Sequence, residues 1–167
     1  MAAFGQLYDF YLPRIHGFIQ RRVGERSVAE DLTAATFERA LVAVRAKGFR
    51  NDAFGGWLYR VAANAVIDHA RRDRRLAPLD GMAAGNDLDE RASEALAAAL
   101  ARDELRRAFA RLSAPQRRVL TLRFLDDLDP AEASALLGCS RNTFAVRLRR
   151  ALQALRGAMA EEATDAA

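Results

Sequence analysis

The sequence predicts an all-α protein of two small helical domains joined by a flexible linker, the second domain a helix-turn-helix. Three observations lead there. Apolar residues recur at helical rather than alternating spacing in almost every long segment, and no run alternates as a strand would. A stretch with glycines, a proline and acids but no sustained period interrupts that pattern after residue 75. Further on, a short and a long helical run flank a Gly138-Cys139-Ser140 turn.

Taken in order, the first helix covers Phe4 to Val23, with Pro13 as a bend or an early break. Ser27 can cap a second helix, with Glu30 completing a capping box, and that helix runs to Lys47 and stops at Gly48. A loop over 49–56 precedes a third helix that reaches Arg75, which closes the first domain (1–75). The acidic linker is assigned to 76–94, where Pro78, Gly81 and Gly85 break the period. As a tether it should tolerate replacement at constant length. The second domain (95–160) breaks at Ser113–Pro115, Asp126–Pro130 and Gly138–Ser140, and the Ala/Glu/Asp composition of 161–167 predicts a frayed tail.

Composition narrows the function classes. The chain has 167 residues, with 26 basic against 22 acidic side chains, and every basic residue except Lys47 is an arginine. A single cysteine, Cys139, excludes a disulfide scaffold. The longest apolar run, Ala95 to Ala101, has seven residues, far short of the ~20 that a membrane span needs. No basic segment precedes an apolar run near residue 1, so no secretory signal is expected. The expectation is a soluble, cytoplasmic protein without membrane insertion. Net charge is +5 over 1–75, −2 over 76–112 and +1 over 113–167, and five arginines without an acid lie between Gly138 and Gly157. Two basic regions separated by an acidic one suit two contacts with a polyanion.

The helical faces say more. In the second helix Leu32, Thr36, Phe37, Ala40, Leu41 and Val44 form the core side. Asp31, Ala34, Ala35, Glu38, Val42 and Arg45 face out as a smooth, weakly apolar patch flanked by charge, suited to docking a protein partner. In the third helix Leu58, Val61, Ala62, Ala65 and His69 line the core stripe. Beside it run Trp57, Arg60, Asn64, Asp68 and Arg71. An aromatic to stack on bases, an amide for base edges and arginines for phosphates are the groups that hold single-stranded nucleic acid.

Asp129 with Pro130 starts the short helix of the C-terminal motif, Gly138 turns the chain, and Ser140 caps the longer helix. There Phe144, Leu148, Ala151, Leu152 and Leu155 share a core face. Arg141, Asn142, Thr143, Val146, Arg147, Arg149 and Arg150 are left to reach a major groove, arginine to guanine and valine to a thymine methyl. An autonomous helix-turn-helix repressor or activator would explain this half alone, leaving the flat acidic face and the tryptophan stripe without a role. An enzyme is a third class, with His16, His69 and Cys139 as its candidate groups. Neither zinc-ligand nor nucleophile spacing surrounds them, so no catalytic residue, metal or cofactor is expected.

Two motif sets in one order carry a family resemblance. AEDLTAATFERAL (Ala29 to Leu41) and FRNDAFGGWLYRVAANAVIDHARR (Phe49 to Arg72) resemble the polymerase-clamp helix and the −10 recognition segment of extracytoplasmic-function sigma factors of bacterial RNA polymerase. LSAPQRRVLTLRFLDDLDPAEASALLGCSRNTFAVRLRRALQALR (Leu112 to Arg156) is similar to their −35-binding module. The resemblance implies core RNA polymerase as partner through its β′ clamp helices and β flap, together with promoter DNA and an anti-sigma factor that can hold the protein near the membrane. It implies that Asp31, Ala35 and Glu38 face the clamp, that Phe49, Tyr59 and Asn64 grip a flipped non-template base, and that Arg147, Arg149 and Arg150 face the −35 groove. Val28, Ala34–Ala35, Asn142 and Ala145–Val146 depart from the family pattern, so neither clamp affinity nor −35 preference is carried over from the relatives.

Overall fold

Helices and the turns between them make up the protein over residues 2–47, 51–76 and 84–167, the part that the computed structural model describes. In chain order they are α1 (Ala2–Val23), α2 (Arg26–Lys47), α3 (Asn51–Leu76), α4 (Ala84–Ala99), α5 (Asp103–Ala110), α6 (Ala114–Phe124), α7 (Pro130–Leu137) and α8 (Arg141–Asp165). The first lobe is α1 to α3, and the second is α5 to α8 with α4 laid across both.

Several boundaries differ from the sequence expectation, each for a local reason. Pro13 neither breaks nor ends α1, which continues through it. The Ser27 capping box does not form. The helix already starts at Arg26, the Ser27 hydroxyl donates to the Glu25 carboxylate at 3.1 Å, and Glu30 is taken by Arg26 at 3.0 Å. α3 begins at Asn51, so Gly55 and Gly56 are helical rather than loop. The segment assigned to the acidic linker becomes helix from Ala84, because Leu88, Ala92 and Leu96 recur every four residues on one buried face. The expected frayed tail is the last turn of α8. Ala158 is buried beneath it, and Glu162 accepts from Arg107 at 2.8 Å and Arg111 at 3.2 Å.

In the second lobe the caps do form. Ser113 and Gln116 form a reciprocal capping box on α6, with Pro115 in the first turn. Asp129 accepts from the Glu132 amide at 2.8 Å, Gly138 takes φ +68, and Ser140 accepts from the Thr143 amide at 3.1 Å.

Two clusters form the interior. The smaller joins Leu96, Phe109, Leu112, Leu120 and Ala151 within the second lobe. The larger is not confined to the first: Ile15, Phe18, Ile19, Phe37, Phe54, Leu58 and Tyr59 pack with Leu122, Leu128, Ala133 and Phe144. The lobes therefore share a core, and α3 makes its most extensive contact with α7. Gly55 and Gly56 permit this approach. A Cβ on Gly56 would stand 2.5 Å from that of Ala135, and one on Gly55 would collide with the Tyr11 hydroxyl. Each helical glycine costs ~1 kcal/mol against alanine, offset here by the burial it allows.

A buried ion cluster closes the seam. Asp126, at the end of α6, has a side chain with no exposure. It accepts from Arg21 at 2.8 and 3.0 Å and from Arg22 at 2.9 and 3.1 Å. Arg22 also donates to the Phe18 carbonyl at 3.0 Å and lies 3.7 Å over the Phe18 ring. Asp89 of α4 stands between Arg22 (3.4 Å) and Arg118 (2.8 Å), and Glu90 pairs with Arg117 at 2.9 Å. These pairs give the acidic segment a sequence requirement that a pure tether would lack.

Phe144→Ala empties a fully buried site in the shared cluster. It is expected to cost about 3–5 kcal/mol and to lower the thermal midpoint measured by circular dichroism. A shift within error would show that the cluster does not depend on this ring.

Candidate nucleic-acid interface

The helix-turn-helix is α7, the Gly138 turn and α8. The turn is closed by a Cys139 amide bond to the Ser134 carbonyl at 3.0 Å. Cys139 packs against the large core and is half-buried. With Phe144 and Ala151 buried and Leu148 half-buried, the opposite side of α8 is turned out. Arg141, Asn142, Arg147, Arg149 and Arg150 are exposed, and Thr143 and Val146 are half-buried. Leu152, expected in the core, is 41% exposed instead, because the helix turns that residue past the edge of the packed face. Arg147 and Arg150 border a groove of about 420 Å³ with Pro115, Gln116, Arg118, Val119 and Leu137. Three guanidinium groups and the capped start of α6 thus meet on one concave surface, a suitable seat for a nucleic-acid backbone. The sequence reading missed Gln116 and Arg118 there; the capping-box spacing Ser113–Gln116 was the available signal.

On α2, Asp31, Ala34, Glu38 and Val42 are exposed and Ala35 is half-buried, as the periodicity required. Adjoining them is a second feature that the sequence did not disclose. A groove of about 400 Å³ between α1 and α2 is lined by Tyr8, Leu12, Pro13, His16, Glu30, Thr33, Ala34 and Phe37. The Tyr8 and Phe37 rings meet edge-on at 4.8 Å. The outward face of α2 therefore continues into a mostly apolar cleft.

The α3 stripe is divided. Arg60, Asn64 and Arg71 are exposed, and Trp57 is half-buried with its ring 6.0 Å from that of Phe54. Phe49 lies outside the described residues. Tyr59 does not join them on the surface: it is fully buried, its ring 5.4 Å from Phe18 and 6.3 Å from Tyr11, and its hydroxyl has no hydrogen-bond partner. The expectation that Tyr59 is available to a base fails in this arrangement, because α1 and α7 cover the face of α3 that carries it. His69, expected on the core stripe, is half-buried and pairs with Asp73 at 3.3 Å.

The seam also shifts proton affinities. Burial, then the Asp129 side chain that it hydrogen-bonds, raises the Glu132 carboxyl to about 8. Burial pushes the Tyr11 phenol up to about 12, with Glu132 and Asp129 adding to it, and drives Tyr59 higher still. Asp129 is moved up by burial but more strongly down by its bonds to Glu132 and Ala131. Among the described residues no three His, Cys, Asp or Glu side chains gather as a metal site would require, and no helix is long and apolar enough to cross a membrane.

Comparison with known proteins divides the chain at the same place. Residues 7–76 match the family described as Sigma-70 region 2, and residues 102–155 match Sigma-70, region 4. The chain is 34% identical over 163 residues to the ECF RNA polymerase sigma factor BldN of Streptomyces coelicolor, covering 96% of this chain and 62% of that protein's length. It is 31% identical to the RNA polymerase sigma factor CarQ of Myxococcus xanthus, covering 95% of this chain and 90% of the relative. The fold is similar to that of the sigma factor RpoE in its co-crystal structure with the anti-sigma factor NepR from Bartonella quintana. The TM-score is 0.56 at 20% identity, over 95% of this chain and 98% of that one.

Glu132 makes the seam sensitive to pH. Its neighbours are Tyr11 and Arg14 of α1, Tyr59 of α3, and Asp129 of the turn before α7. The packed chain holds the Glu132 proton up to about 8, whereas a solvated glutamate releases it near 4.5. The packed state is therefore favoured most below 4.5 and loses that advantage as pH rises toward 8. At constant ionic strength the thermal midpoint should fall between pH 6 and 9, and Glu132→Gln should flatten the slope. An identical slope in that variant would assign the dependence to another group.

Proposed function

The chain belongs to the extracytoplasmic-function RNA polymerase sigma factors, and from that premise we propose that it works by positioning rather than by bond-making. It binds core RNA polymerase, brings it to promoters with −10 and −35 elements, and helps open the DNA for initiation in the cytoplasm. The observation that carries this reading is the joint presence, in one chain and in this order, of a region 2 with an exposed Arg60–Asn64–Arg71 stripe and a region 4 with an arginine-lined groove.

Each surface has a task under this reading. Asp31, Ala34, Ala35 and Glu38 meet the β′ clamp helices, and the second lobe meets the β flap. Arg141, Asn142, Thr143, Val146, Arg147, Arg149 and Arg150 read the −35 duplex, with Arg118 and Gln116 holding its backbone. Phe49, Trp57, Arg60, Asn64 and Arg71 form the −10 surface, with Tyr59 buried behind it. There an unstacked base is trapped at a cost of a few kcal/mol, recovered through stacking and edge hydrogen bonds. Each DNA contact is weak alone. Fixing both on one enzyme makes the second intramolecular, a gain of order 10²–10⁴. An anti-sigma factor would act by covering the α2 face and its neighbouring groove.

Run-off transcription with purified core polymerase on genomic fragments should give defined starts only when the chain is added. Tight promoter binding by the chain alone, with no initiation, would favour an autonomous helix-turn-helix regulator. Asn64→Ala should slow strand opening by about 5–30-fold, the loss of one or two kcal/mol, while core binding in a pull-down stays unchanged. Equal loss of both would remove Asn64 from the base pocket. Arg147→Ala should weaken −35 duplex contact by about 1–3 kcal/mol, and unchanged promoter strength would exclude it from the readout.

A further inference from the structure

We propose that Asp89 of α4 is a positioning residue for DNA contact, which orients the Arg118 guanidinium toward the arginine-lined groove of the second lobe. The inference rests on the sigma-factor reading. It adds a role for α4, a helix that lies between the two family-matched segments, 7–76 and 102–155.

Arg118 stands between two cavities. On one side a space of about 120 Å³ also touches Arg22, Leu88 and Asp89. On the other is the groove of about 420 Å³ that Arg147 and Arg150 border. The Arg118 Nε is enclosed and lies 2.8 Å from the Asp89 carboxylate, without the alignment of a hydrogen bond. Charge therefore holds the inner end of the guanidinium. The side chain as a whole is 42% exposed, and its terminal nitrogens have no partner among the described residues. A guanidinium is planar, so fixing Nε leaves the terminal N–H groups directed away from the carboxylate and ready for a phosphate.

Asp89 does this without cancelling the charge of the groove. Its other oxygen accepts from Arg22 at 3.4 Å, and Arg22 is paired in turn with Asp126. Arg21, Arg22 and Arg118 thus meet two carboxylates, and the excess positive charge falls on the most exposed of the three, Arg118. The placement also belongs to the second lobe itself. Glu90 pairs with Arg117, the Ser93 and Thr121 hydroxyls are 3.3 Å apart, and Leu96 packs with Phe109, Leu112 and Leu120. α4 is fastened along α6 over about two turns, so Asp89 stays beside Arg118 wherever the first lobe is. Holding the fork in advance spares part of the rotamer freedom that an arginine otherwise loses on meeting a phosphate.

A double-mutant cycle at constant charge on residue 118 tests this. The readout is the fluorescence anisotropy of a short labelled duplex of mixed sequence, which suffices because phosphate contacts carry no sequence information. Binding by the first lobe is common to all four chains and cancels. In the parent chain Asp89→Ala should weaken binding about 3–10-fold. In the Arg118→Lys background no Nε exists to be held, and the same substitution should leave affinity unchanged or raise it by removing a negative charge. An equal change in both backgrounds would overturn the inference, since a carboxylate acting only on the fold or the overall field is indifferent to the side chain at 118. Tighter binding by Asp89→Ala in the parent chain would overturn it as well, by showing the carboxylate to compete with DNA. Helical content is followed by circular dichroism. If the alanine loosens α4, Asp89→Asn, which keeps the side-chain volume, takes its place in both arms with the same expected contrast. Run-off transcription separates the two readings. Defined starts with an uncoupled cycle would sink this inference alone, whereas a coupled cycle with no initiation anywhere would sink the sigma-factor reading and leave Asp89 its part in DNA binding.

Discussion

Asp126 is the charge around which the rest of the molecule is arranged. An unpaired carboxylate without solvent exposure would be strongly unfavourable, and breaking a buried pair by removing one partner costs about 3–5 kcal/mol. Here two consecutive arginines on α1 satisfy it. That requirement fixes where α6 ends relative to α1. Asp127 is then thrown into the left-handed region at φ +58, a conformation that aspartate tolerates better than most residues. Leu128 drops into the shared core, and Asp129 is placed to start α7. The orientation of the helix-turn-helix thus descends from one ionic contact with the other lobe.

Close backbone approach completes what the ion cluster begins. Glycine at 55 and 56 weakens α3 as an isolated helix, and in exchange α7 packs against it almost without intervening side chains. The seam remains incompletely satisfied. Glu132 is held in its protonated range and the Tyr59 hydroxyl has no partner, so favourable packing and charge pairing are set against two strained polar groups.

The surfaces left outside the seam are segregated by charge and shape. The exposed flank of α8 and the start of α6 offer guanidinium groups around a groove, whereas α2 offers acids and small residues beside an apolar cleft. A polyanion and a protein helix therefore find different faces, and neither face needs the other in order to be present. Of the acidic residues of α4, Glu90 pairs with Arg117, and Asp89 is shared between the buried Arg22 and Arg118 at the edge of the groove.

Local chemistry was legible without any tertiary information. The Asp129–Pro130 start, the Gly138 turn, the Ser140 cap and the outward faces of α2 and α8 follow from caps and periodicity, which act within a few residues along the chain. The all-α class and the two-part order follow from the same signals. Long-range packing decided the remainder. Residues from 84 onward read as linker because glycines and acids mask their period, and they became helix because Leu88 and Ala92 found a core and Asp89 found two arginines. Gly55 and Gly56 read as loop, and only the approach of α7 explains them within a helix. Tyr59 shows the limit most clearly. Its residue type and position suit an exposed aromatic as well as a buried one, and the packing of α1, with Phe18 and Tyr11 against its ring, decides for burial. The α3–α7 approach joins Gly56 and Ala135, 79 residues apart in sequence, a separation over which local propensity carries no information.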